Sequence, residues 1–180
     1  MVSLTALMGF FLFTGAQAFA MPMMPNYAVT LTAYNAVPSQ TDGDPFMTAS
    51  GTYSNPEIVA ARSRDLAEEL PFGTIIEVDG ASASGNSCGY NKVKPIIGYR
   101  VIADTMNARY TDYIDILFST KSNYSLAGGE KKNASAVLGV CSDVTVRVVG
   151  FVDLAHPNHL PKTQTDLASI VKGDNVLAVK

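Results

Sequence analysis

The chain has 180 residues, enough for one domain with appendages and a sizeable core. Hydrophobic residues make up 47% and charged residues 16%, a balance that excludes intrinsic disorder. The formal net charge is -3 and no basic run exceeds Lys131-Lys132, so the basic footprint that nucleic acid requires is missing. No charged residue precedes Asp42. Val2 to Phe13 is apolar, and Ala18-Phe19-Ala20 forms a small-x-small cleavage site. This pattern predicts a secretory signal peptide over 1–20 and an exported protein of the periplasm, cell envelope or exterior. The apolar stretch falls short of the ~20 residues of a membrane span, so no stable insertion is expected after cleavage. No Lys or Arg stands in front of it, which leaves an uncleaved anchor as the alternative.

Residues 21–27 are Pro- and Met-rich and read as a linker. Segment 28–34 alternates and is rich in β-formers, which predicts a strand. A loop follows over 35–45, then a short extended piece over 47–51. Segment 58–61 reads as a strand of small residues, and 63–70 as a short helical turn stopped by Pro71-Phe72-Gly73. The β-branched run 74–78 predicts another strand. Residues 80–91 are Gly/Ser/Ala-rich and read as the core of a flexible inserted loop spanning 80–97. Three more strands are expected over 99–103, 113–118 and 144–151. In 163–172, Leu167, Ile170 and Val171 recur at helical spacing, with Gly173 as a stop. The expected class is therefore mainly β, a small closed or half-closed barrel over 28–152, with a helical C-terminal extension over 153–180.

Chemistry is concentrated in three aspartates. Asp65 lies in Arg62-Ser-Arg-Asp-Leu66, Asp104 closes Tyr99-Arg-Val-Ile-Ala103, and Asp115 interrupts Tyr113-Ile114-Asp115-Ile116-Leu117. Strand alternation puts Asp115 on one face with Tyr113 and Leu117. A carboxylate buried there is costly unless paired, hydrogen-bonded or protonated, and a raised pKa would make it a general acid. The plainer role for Asp115 is a structural acid tying strand to loop. Asp65 begins an Asp-Leu-Ala-Glu68 spacing that suits helix N-capping, a structural task. The two cysteines, Cys88 and Cys141, form an even pair in an exported chain, consistent with a disulfide worth about 3–4 kcal/mol, or else with two free thiols. His156-Pro-Asn-His159 has metal-like spacing but only Asp153 nearby, and no metal site is expected. Phosphate loops, dinucleotide fingerprints and Gly-x-Ser-x-Gly are missing, so no cofactor is expected either.

An ordered set of motifs carries a family resemblance. Val29-Thr-Leu-Thr-Ala-Tyr34, Gln40-Thr-Asp-Gly-Asp44, Thr48-Ala-Ser-Gly51 and Ser63-Arg-Asp65 come first. Pro71-Phe-Gly-Thr74, Asp104-Thr-Met-Asn107 and Ile114-Asp-Ile116 follow. Together they resemble the three-aspartate domain of bacterial cell-wall-remodelling proteins, which is similar to the barrel of membrane-bound lytic transglycosylase A. The resemblance implies a six-stranded double-psi β-barrel acting on peptidoglycan glycan strands. It implies cleavage between muramic acid and glucosamine without water, with an anhydro-muramic product. It places Asp115 as the catalytic acid and Asp104 as its neighbour, tuning it or binding the turn amides of Thr105 to Asn107. Thr32, Tyr34, Thr48, Ser50 and Thr105 become candidate donors to sugar hydroxyls, or are ordinary sheet hydroxyls. The chain departs from the common Asp-Thr-Gly-Gly form by its Asp104-Thr-Met-Asn107. The alternative function is a glycan-binding barrel without catalysis, which the lack of any Trp disfavours.

Overall fold

The computed structural model describes residues 24–80, 88–156 and 160–174. The expected signal peptide, the start of the expected linker, residues 81–87 of the inserted loop and His159 lie outside them. Among the described residues eight strands form: β1 (Asn26–Asn35), β2 (Val59–Arg62), β3 (Thr74–Asp79), β4 (Tyr99–Thr105), β5 (Tyr113–Phe118), β6 (Asn123–Ser125), β7 (Lys131–Asn133) and β8 (Cys141–Phe151). Six of them close a hydrogen-bonded ring in the order β1-β5-β2-β4-β3-β8, while β6 and β7 make a separate pair. β1 runs parallel to β5, and β2 parallel to β4. The other ring contacts are antiparallel.

Strand alternation divides the apolar residues between two clusters. Leu31, Ala60, Ile102, Ile114, Ile116 and Phe118 join one. Tyr34, Val59, Ala61, Val101, Ala103 and Leu117 join the other. The first cluster is closed by two short helices, α1 (Tyr90–Ile97) and α2 (Ala134–Leu138). The second packs against α3 (Gln164–Ser169) through Leu167.

Several boundaries differ from expectation. Asn26 and Tyr27 belong to β1, not to a linker, because they pair with Arg147 and Val146 of β8. Residues 90–97 are helix rather than inserted loop. Tyr90, Val93 and Ile97 share the buried face of α1, and the Tyr90 hydroxyl donates to the Val78 carbonyl at 2.9 Å. That packing outweighs Pro95, whose ring ordinarily breaks a helix interior. The last strand starts at Cys141, earlier than predicted, and β6, β7 and α2 were not anticipated.

The piece around 47–51 forms a single bridge between Met47 and Tyr53. Thr163 caps α3 in a capping box with Asp166, and a π-helical turn, Ile170–Asp174, continues it. Gly73 sits at φ 94 with the Val152 carbonyl against its Cα, so a side chain there would both strain the backbone and collide. Cys88 and Cys141 are bridged, with Cα atoms 5.3 Å apart, linking the approach to α1 with the start of β8.

Candidate active site

Strand register assembles the site. Thr32 on β1 pairs with Asp115 on β5, Asp115 pairs with Ala61 on β2, and Ala61 pairs with Asp104 on β4. The four residues thus form one row across four strands. A strand spacing of about 4.8 Å puts the two aspartate Cα atoms roughly 10 Å apart across a single methyl group. Asp104 reaches this row through an irregularity. Between the Ala60–Ile102 and Ala61–Asp104 pairs, β4 carries one extra residue, Ala103. Simple alternation after Ile102 and Ala103 would turn Asp104 to the opposite face from Ala61. The bulge restores it to the face of Asp115. The freed carbonyl of Ala103 accepts the Ser50 amide at 3.0 Å, which docks the 46–54 loop on the bulge.

Each acid is held by specific donors. Thr32 donates its hydroxyl to Asp115 Oδ1 at 2.8 Å. Tyr34 donates its hydroxyl to Asp104 Oδ2 at 2.8 Å, and the amides of Ala49 and Thr105 both donate to Asp104 Oδ1 at 2.9 Å. Asp115 is partly open to a groove yet surrounded by protein on its other sides. Burial pushes its pKa up to about 6, against the lowering effect of Thr32 and with a further push from the negative charge of Asp104. Burial and the neighbouring Asp104 also raise the pKa of the Tyr34 phenol, so it stays a proton donor to Asp104. The arrangement gives two carboxyls different environments, one largely desolvated and one saturated with donors. Such a pair suits general acid–base chemistry.

A groove of about 700 Å³ opens over this row, lined by Thr32, Tyr34, Asp104, Thr105, Tyr113 and Asp115 among others. Thr48 and Ser50, expected as sugar donors, are not among its lining residues. Their hydroxyls cluster with Thr52 at 3.0 and 3.1 Å, because the turn at Gly51 folds them back on one another. Thr32 and Tyr34 do line the groove, but their hydroxyl protons are engaged by the two acids.

Asp65 does not cap a helix as expected. The local helix is a four-residue 3₁₀ turn, Arg64–Ala67, with Ser63 at its N-cap position and no side-chain cap. The Asp65 carboxylate instead accepts the Asp112 amide at 2.9 Å. Slight burial works upward on its pKa, but this bond and the Ser63 hydroxyl hold it below the usual range. The bond pins Asp112, which adopts φ 57, at the entrance to β5.

Several residues that brace or line the site were missed in the sequence. Arg100 is fully buried and donates to the carbonyls of Ile96, Ile97, Pro56 and Leu117, joining β4 to β5. Burial lowers its pKa to about 9, which leaves it charged at neutral pH. Its position in an apolar strand was the available signal. Arg64, Arg109 and Tyr110 also line the groove. His156 pairs with Asp153 at 2.7 Å on the surface, and among the described residues no cluster of metal-ligating side chains forms. No family model and no curated protein matches the sequence. Among the described residues no helix is long and apolar enough to cross a membrane.

Proposed function

We propose that this protein is an exported peptidoglycan lytic transglycosylase of the three-aspartate kind. The observation that carries the reading is Asp115, a half-buried carboxyl with a pKa of about 6 that lines a groove, in the same cross-strand row as a second acid two strands away. The motif order along the chain supports the family, and the two parallel pairs within a six-stranded ring support a double-psi β-barrel.

In this reading, protonated Asp115 gives its proton to the glycosidic oxygen as the bond from the muramic anomeric carbon breaks. The hydroxymethyl oxygen of the same sugar then closes onto that carbon. The Asp115 carboxylate takes the hydroxyl proton, which regenerates the acid and leaves a 1,6-anhydro end. Hydrolytic glycosidases generally use two catalytic carboxylates flanking the bond, whereas an internal nucleophile lets one suffice. The Asp104 carboxyl, fixed by three donors, lines the same groove, where its oxygens face the positive charge that develops on the sugar ring. The acid form of Asp115 is lost as pH rises through about 6, so cleavage falls over that range.

Mass spectrometry of purified wall after incubation tests this reading. Anhydro-muramic ends should appear with the wild type and be lost with Asp115→Asn. One feature favours a second reading, a barrel that binds glycan without cutting it. Tyr110 and Tyr113 stand on the groove with ring centroids 5.1 Å apart, a surface on which sugars can stack. Wall co-sedimentation without any anhydro product would select that reading.

A further inference from the structure

Two cations in the groove have no task in the cleavage step. Arg64 and Arg109 line it and are exposed, and neither enters an ion pair among the described residues. One is held directly by a pair of tyrosines, and the other adjoins the same pair through its backbone neighbour. Arg109 lies over the Tyr110 ring at 4.8 Å and donates to the Tyr110 hydroxyl at 2.9 Å. Tyr110 in turn rests on Tyr113. Arg64 follows Ser63, whose amide and hydroxyl bond the Tyr113 carbonyl and amide at 2.9 and 3.0 Å. Tyr113 shares its strand face with Asp115, roughly 7 Å along β5. The other charged groups of the groove are Asp42, Asp104 and Asp115, all acids. A neutral sugar can accept from these guanidiniums only through uncharged oxygens, whereas a carboxylate gives them charge-assisted bonds, which are roughly twice as strong.

We propose that Arg64 and Arg109 form a subsite for a carboxylate borne by the glycan, beside the sugar whose bond breaks at Asp115. The inference rests on the groove being the glycan site and deepens that reading to substrate choice. In a wall polymer this carboxylate has two sources, the lactyl group of muramic acid when its peptide has been removed, or an acid on the peptide stem.

Calorimetric binding to the full chain carrying Asp115→Asn, which prevents turnover, tests the subsite with three soluble glycans. These are a neutral chitin oligomer, a stem-free peptidoglycan oligomer with free lactyl carboxylates, and a stem-bearing oligomer. The chitin oligomer should bind about tenfold more weakly than at least one of the others. Arg64→Ala or Arg109→Ala should close that gap, read as the ratio of the two affinities within each variant, and Arg→Lys should keep part of it. Preference for the stem-free oligomer assigns the lactyl carboxylate, and preference for the stem-bearing one assigns the stem. A gap that persists in both alanine variants, or no gap at all, overturns the subsite. Cleavage by the wild type, followed separately, distinguishes the two readings. Carboxylate-dependent binding without cleavage upholds the subsite and removes the transglycosylase.

Discussion

At the scale of single residues, Asp115 carries opposing demands of stability and chemistry. Its pKa is higher in the fold than the 3.8 of a free carboxyl, so between pH 4 and pH 6 the folded chain binds more protons than the unfolded one. The sign follows: the favourable contribution is complete below about pH 4 and is lost as pH rises through 6. A shift of this size corresponds to roughly 3 kcal/mol at most. Asp115→Asn removes the ionisation and still accepts the Thr32 hydroxyl. The variant should therefore be more stable than the wild type at pH 7, match it near pH 4, and lose about a hundred- to ten-thousand-fold in cleavage rate. Denaturant titrations at the two pH values, set beside the rate, check this. Lower stability at pH 7 would mark Asp115 as a structural acid.

Asp104→Asn removes the charge that helps to raise the pKa of Asp115. Burial is the larger cause, so the upper limb of the pH–rate profile should move down only slightly. The rate and the stability should fall more clearly, because an amide nitrogen cannot accept the Tyr34 hydroxyl. A pH series of kcat/KM separates the effects, and an upper limb that moves upward would contradict them.

At the scale of elements, the site depends on short irregular pieces. The bulge at Ala103 decides which face Asp104 occupies, and the 46–54 loop holds that bulge from outside. At the ends of β1 and β5, Asn133 works as a junction. Its side-chain oxygen accepts from the Ser135 amide and hydroxyl and from Asn35, while its nitrogen donates to the Ser119 carbonyl. Asn35 ends β1 and also donates to the Phe118 carbonyl at the end of β5. One side chain thus caps α2 and ties two parallel strands at their common end. Asn133→Ala should cost about 2 kcal/mol, more than the ~1 kcal/mol of an ordinary cap, since buried partners lose their bonds as well. Equilibrium unfolding gives the number, and a loss under about 0.5 kcal/mol would show the junction to be replaceable by water.

For the whole molecule, closure of the ring and the cross-link act together. The Cys88–Cys141 bridge spans 53 residues and clamps α1 to the strand that seals the ring between β1 and β3. Restriction of a loop of that length is worth about 3–4 kcal/mol. Reduction should lower Tm by about 10 °C, and a Cys88→Ala, Cys141→Ala variant should melt near the reduced protein and ignore reductant. A reductant-independent Tm in the wild type would refute the clamp.

How far the sequence alone reached follows from the range of each signal. Alternation in 28–34 and 113–118 placed those strands and turned Asp115 toward Tyr113 and Leu117, because side-chain direction along a strand is set by nearest neighbours. Helical spacing around Leu167 was legible for the same reason. Composition misled at 90–97, where the loop read from the Gly/Ser/Ala-rich run 80–91 was carried on, and the burial of Tyr90, Val93 and Ile97 makes a helix. The hairpin β6–β7 carried too short a pattern to be read.

The site needed tertiary structure. Thr32 meets Asp115 across 83 residues, and Tyr34 meets Asp104 across 70. The face of Asp104 hangs on one extra residue in the pairing of β4 with β2, which no period in β4 itself reveals. Local geometry is written in neighbouring residues, whereas register, hydroxyl direction and the pKa of a carboxyl depend on what the closing ring brings alongside.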